Sequence, residues 1–371
     1  MGRIETSEDV TGIGVLSLCP CSLLHQKNAV QISFCNVIIL QMIFTQPRAY
    51  KVIRFCSAQG VRKICGVVAA FLLATTTLSV SAKTPRVVTD IGPIYSLAAR
   101  IMAGVGVPDL VIRHGASPHA YSLRPSEAMA LEKADVVFWV SEGLTPWLKS
   151  RLEILARKAR VIELMKVDGA VKLLYREGAT FADHDDHSGT DNHSGTDNHS
   201  GIDPHSWLDP ENGKAWLGVM ASELSKIDPS NTDLYFQNAA AGALEISEAV
   251  ARINELLISV RGVKFVVFHD AYQYFERRFS ISASGSILAG DALAPNPARI
   301  IEIRGQVAEM GIGCVFSEPQ FNSALVASVF QDAGINTAVI DSLGIELELS
   351  MALYSQMLES IAKEIVECTE E

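Results

Sequence analysis

"SNTDLYFQNAAAGALEISEAVARINELLISV", from Ser230 to Val260, returns to an apolar residue every three or four positions. Phe236, Ala240, Ala243, Ile246, Val250, Ile253 and Leu257 fall on one stripe, the signature of an amphipathic helix. The pattern runs for about 30 residues, which at about 1.5 Å per residue predicts a helix about 45 Å long. A lobe of ordinary size does not need so long a helix, so the stretch reads as a rigid strut between two lobes. Its start is marked: Asp228-Pro229-Ser230 stops the preceding helix, and Asp233 stands three residues after Ser230 in a capping-box-like position.

On both sides of the strut, short apolar runs alternate with helical stretches, as expected of βα units with parallel strands. Before it, strands are expected at Arg86 to Ile91, Asp109 to Arg113, Val136 to Val140 and Arg160 to Leu164. Helices are expected at Pro93 to Ala103, from Pro125, at Pro146 to Lys158 and at Pro210 to Lys226. After it come the strands Val263 to Phe268, Cys314 to Ser317 and Thr337 to Ile340, and the helices Pro297 to Met310, Ser323 to Ala333 and Ser350 to Cys368. The expected fold is therefore α/β, with two lobes of mostly parallel sheets. Residues 83–228 form the first, 261–371 the second, and one long linker helix within 229–260 joins them.

The chain has 371 residues, but its first 82 are excluded from that fold. Val61-Arg62-Lys63, the apolar run Ile64 to Val80 and the small residues Ser81-Ala82 have the layout of a signal peptide, residues 61–82, cut after Ala82. A membrane anchor is the alternative. Residues 1–60 are a non-native extension, with Met42 as another start, or a long leader. Five of the seven cysteines lie in this part, which leaves Cys314 and Cys368. In an exported chain the simplest reading of two cysteines is one disulfide, and two unpaired buried thiols are the other. The leader also holds seven of the 31 basic and three of the 42 acidic residues, so the mature chain carries −15 against −11 for the whole. Nucleic acid and anionic membrane surfaces are poor partners for such a chain, whereas a cationic ligand suits it.

Within the first lobe, "HDDHSGTDNHSGTDNHSG", from His184 to Gly201, has no apolar residue. It repeats a six-residue unit from His187 and from His193, and begins it again at His199. Such a segment cannot offset the entropy of ordering and is expected to be a disordered surface loop, residues 183–201. Its imidazoles His184, His187, His193 and His199 form an accessory metal-binding set. It either collects weakly bound metal for the fold, senses excess metal, or is a tolerated repeat expansion.

Ligands of open α/β sheets bind where the carboxyl ends of strands meet. His119 follows the strand ending at Arg113, His269 directly follows Phe268, and Asp341 directly follows Ile340. His205 stands where the polar insert rejoins the fold. Three imidazoles and one carboxylate make a suitable tetrahedral set for Zn2+. His114 lacks that setting and reads as a structural histidine.

The segments "GASPHAYSLRPS", "DPHSWLDP", "VFHDAYQYFE", "FSEPQF" and "IDSLG" resemble, in this order and spacing, the metal-specific solute-binding proteins of bacterial ABC importers. Among them the resemblance is strongest to the periplasmic zinc-binding members of the high-affinity zinc-uptake system. It covers the chain from Arg86 to its end and implies two lobes with metal in the cleft between them and little closure on binding. It also implies His119, His205 and His269 as ligands, Asp341 as the carboxylate of the second lobe, and a Cys314–Cys368 disulfide. The implied role is that of a monomeric periplasmic protein that delivers Zn2+ to an importer permease. Manganese-binding relatives usually carry a carboxylate where His269 stands, so histidine favours zinc over manganese or another divalent ion. Some zinc members place a glutamate just before the first histidine. Here that residue is Pro118, which leaves the fourth position to Asp341, our expectation, or to water. An exported zinc enzyme, with Asp341 or Glu318 as base, is the main rival reading. The sequence has no His-Glu-x-x-His helix and no recognisable nucleophile to support it.

Overall fold

The chain divides into Met1–Ser79 and Val80–Glu371, and the second unit holds everything that follows. In this computed structural model the described residues are 84–176, 181, 201–288, 301, 304, 305, 307, 309, 311–321, 330 and 334–370. The expected extension and expected signal peptide, the loop histidines His184, His187, His193 and His199, and most of the expected helices Pro297 to Met310 and Ser323 to Ala333 lie outside them.

Strands β1 (Val87–Thr89), β2 (Asp109–Leu110), β3 (Val136–Trp139) and β4 (Arg160–Glu163) pair in parallel in the order β2-β1-β3-β4. Strands β5 (Phe265–His269), β6 (Ala283–Leu288), β7 (Cys314–Ser317) and β8 (Asn336–Val339) repeat that arrangement as β6-β5-β7-β8. The architecture is the expected α/β one, with two parallel sheets flanked by helices. The order reverses between β1 and β3 and again between β5 and β7, and at such points the carboxyl ends of strands leave a crevice for a ligand. Composition explains which strands are central. Val136-Val-Phe-Trp139 and Phe265-Val-Val-Phe-His269 are buried throughout, as strands covered on both faces must be. Edge strand β8 instead alternates between half-buried and exposed residues.

The helices are α1 (Gly92–Ile101), α2 (Pro125–Lys133), α3 (Pro146–Leu155), α4 (Pro210–Ile227), α5 (Thr232–Leu256), α6 (Gln273–Phe279) and α7 (Leu353–Glu370). Several begin as their sequences direct. Pro210 opens α4 behind Asp209, whose side chain accepts the Glu211 N–H. The strut is α5, at 25 residues somewhat shorter than expected. Its buried face is Tyr235, Ala239, Gly242, Ile246, Ala249 and Ile253. The stripe read from the sequence was therefore turned by about one residue over its first half, and Phe236 is 48% exposed.

Gly242 supplies the reason. A Cβ there would meet Leu217 Cδ1 at 2.9 Å and Arg100 Cγ at 3.0 Å, so the smallest residue faces inward where α5 crosses α1 and α4. Tyr235 joins that face because its hydroxyl donates to Asp228 Oδ2 at 3.0 Å. Nor is α5 a bare strut, since it packs along α4, α1 and α7. One apolar core runs through Phe138, Trp216, Ile246, Phe316 and Tyr354 and so reaches both sheets. Tyr354 fastens α7 to the first half, its N–H on Ser96 Oγ at 3.0 Å and its hydroxyl on the Trp207 carbonyl at 2.8 Å. Cys314 at the start of β7 is joined by a disulfide to Cys368 in α7.

Two elements, α6 and β6, carried no expectation. Strand β6 reads Ala-Ser-Gly-Ser-Ile-Leu, with too little apolar alternation to announce itself.

Candidate metal centre

His269 ends β5, beside the second sheet's reversal point, and is 2% exposed. Its Nδ1 lies 2.5 Å from Oε1 of Glu318, the residue after β7. The other oxygen of Glu318 accepts from Gln320 Nε2 at 2.7 Å and from Ser342 Oγ at 3.3 Å. His205 precedes the short turn Ser206–Leu208 and is 1% exposed. Its Nδ1 lies 2.7 Å from Asp203 Oδ1, which also accepts the His205 backbone N–H at 3.0 Å. His119, half-buried, comes from the loop beyond β2. The Trp147 indole N–H, from α3, donates to the carbonyl of the preceding Pro118 at 2.8 Å and so anchors that loop.

Each histidine offers one ring nitrogen to a common point, and the three nitrogens all lie within 4.8 Å of one another. The Nε2 atoms of His205 and His269 are 3.2 Å apart. Two nitrogens bound at about 2.0–2.1 Å to one tetrahedral ion would be about 3.3–3.4 Å apart. The carboxylates also fix the tautomers. With each Nδ1–H donated to Asp203 or Glu318, both Nε2 atoms present lone pairs to each other, and a shared cation removes that repulsion. Carboxylate-backed imidazoles of this kind are the usual way to orient and strengthen a zinc ligand. Trp207 against His205 and Phe321 against His269, at centroid distances of 5.3 and 5.5 Å, give the rings apolar walls.

Asp341, expected as the fourth ligand, is not a member of the group. Its Oδ1 accepts the Leu343 N–H at 3.0 Å and its Oδ2 the Glu346 N–H at 3.1 Å, so it closes the turn after β8. Burial holds its pKa above the usual carboxylate range, and those N–H groups offset only part of that shift. His114 is a structural histidine, with Nε2 3.1 Å from the Leu347 carbonyl oxygen. Asp203 was not singled out from the sequence, although a carboxylate two residues before a ligand histidine is a readable signal. Glu318 was noted only as a possible base. Exchanging Glu318 for glutamine should leave the fold intact and lower zinc affinity about 10- to 100-fold, as loss of a carboxylate behind a ligand histidine usually does. Competition with a chelator measures this, and an unchanged affinity would deny Glu318 that role.

Sequence comparisons with known proteins agree on one family. The family described as zinc-uptake complex component A, periplasmic (ZnuA), matches residues 87–368. The high-affinity zinc uptake system protein ZnuA of Brucella abortus is 36% identical over 320 residues, covering 81% of this chain and 96% of that protein. The protein of the same name from Paracoccus denitrificans is 34% identical over 316 residues, covering 81% and 97%. Among solved structures, a zinc-bound deletion mutant of ZnuA has a TM-score of 0.64 at 20% identity, covering 77% of this chain and 98% of that one, a likeness of fold.

Proposed function

The chain belongs to the ZnuA family of periplasmic zinc-uptake components, and from that membership we propose that it captures Zn2+ in the periplasm and delivers it to the membrane permease of an ABC importer. His119, His205 and His269 hold the ion, and water takes the fourth position. What carries this reading is the pair of buried imidazoles backed by Asp203 and Glu318, with Nε2 atoms converging at 3.2 Å beside a third histidine. An all-nitrogen protein set suits zinc better than the harder manganese ion. Export through residues 61–82 fits the family's periplasmic place and the disulfide. The same geometry disfavours catalysis. A base must reach substrate, yet Glu318 is 1% exposed and commits its oxygens to His269, Gln320 and Ser342.

The test is zinc titration of metal-stripped mature protein, with and without residues 183–200. The expected result is one tight site in both, with weaker binding lost on deletion. Loss of the tight site on deletion would remove the function from the three-histidine group.

A further inference from the structure

His205 and His269 come from distant parts of the chain, and Arg176 links them: its backbone run lies beside the segment that leads to His205, and its side chain holds the neighbour of His269. The run Leu173 to Arg176 lies antiparallel to Gly201 to Asp203, with Asp203 N–H on the Leu173 carbonyl at 2.9 Å and Tyr175 N–H on the Gly201 carbonyl at 3.2 Å. The second of those runs leads directly into the Asp203–His205 pair. Tyr274 clasps the two, its hydroxyl donating to the Asp203 carbonyl at 2.8 Å and accepting the Leu173 N–H at 2.9 Å. At the end of the first run, Arg176 turns its guanidinium onto the other half of the protein. Its Nε lies 3.1 Å from both oxygens of Asp270, the neighbour of His269, and its Nη2 also donates to that carboxylate. Its Nη1 and Nη2 donate to Glu276 at 2.7 and 3.0 Å. Glu276 in turn accepts the Ala283 N–H at 3.0 Å, tying the cluster to β6. The guanidinium carbon sits 3.7 Å from the centroid of the Phe181 ring, and all three charged side chains are largely buried.

We propose that Arg176 is a positioning residue for the metal site, holding the segment that carries His205 at a fixed distance from the end of β5, which carries His269. The proposal rests on the zinc-capture reading above. A planar fork held by two carboxylates fixes direction as well as distance, which a point charge on a flexible stem cannot do. The separation it maintains, 3.2 Å between the two Nε2 atoms, is close to the spacing of two nitrogens on one tetrahedral zinc ion. Once the fork is lost the separation can relax, at a cost to zinc and with little effect on an ion that prefers longer bonds and more oxygen ligands.

Arg176→Lys keeps the charge and removes the fork, and Asp270→Asn removes the same anchor while leaving Arg176 on Glu276. Zn2+ and Mn2+ affinities are measured on both variants and on the parent, together with the visible absorption of the Co2+-loaded proteins, which is intense for tetrahedral and weak for octahedral coordination. In each variant zinc affinity should fall about tenfold or more, within the range known for supports of metal ligands. Manganese affinity should change by no more than about threefold and the Co2+ bands should weaken, since ion preference and spectrum follow coordination geometry. Equal losses for both ions, or an unchanged zinc-to-manganese ratio and Co2+ spectrum in both variants, would overturn the proposal. A parent protein without tight zinc binding would instead overturn the zinc-capture reading itself.

Discussion

Replacing His269 with alanine should abolish the tight zinc site. On the proposed ligand set the substitution takes one of three nitrogens from the ion and leaves His205 and His119, fewer than the three protein ligands that hold zinc when water fills the fourth position. It also strands Glu318, whose side chain is fully buried and loses the imidazole from Oε1. A buried carboxylate without its partner costs fold stability, which the metal-free protein should show. Because a ligand nitrogen itself is lost, the loss of affinity should exceed the roughly 10- to 100-fold expected from disturbing Glu318 alone. Competition with a chelator on stripped protein measures it, and a melting curve without metal shows whether the fold survives. Binding as tight as that of the parent would place the ion elsewhere in the chain, and the assignment of the three histidines would fall.

The second large effect is on stability. Cys314 opens β7, a strand paired on both sides, and Cys368 lies in α7, which packs against α1 and α5. The disulfide closes a loop with a sequence separation of 54, and both sulfur-bearing residues are buried. Loop-closure entropy alone predicts a loss of about 4 kcal/mol when both cysteines become serine. For a chain of this size the melting temperature should then fall on the order of 5–10 °C. The comparison belongs to metal-free protein, because bound zinc stabilises the native state by mass action and would mask part of the difference. Zinc affinity should be unchanged, since Cys314 stands at the amino end of β7 and Glu318 follows its carboxyl end, about 13 Å away along the strand. An unaltered melting temperature would mean that packing of α7 suffices without the bond.

The central strands were legible because continuous β-branched and aromatic runs such as Val136 to Trp139 have no other comfortable home than a doubly covered sheet. The long helix was legible from its period, but not the face it buries. A run of alanines at 239, 240, 241 and 243 gives no contrast between neighbouring positions, and only the crossing at Gly242 selects one. Strand β6 escaped notice because serine and glycine carry no apolar signal, although the fold buries them.

For the site itself, the sequence by itself picked out the three histidines that the structure brings together, because strand ends and the return from the polar insert are positions a linear reading can find. It could not choose between two carboxylates that look alike, Glu318 directly after β7 and Asp341 two residues past the end of β8. That choice is one of strand order. In β6-β5-β7-β8, β7 is the direct neighbour of β5, so Glu318 comes beside His269 across one strand spacing of about 4.8 Å. Strand β8 lies one place further out, and Asp341 satisfies the N–H groups of its own turn. Local sequence fixes which residues have the chemistry of a ligand. Which carboxylate reaches the histidine depends on pairing between strands far apart in the chain, and only the tertiary structure decides that.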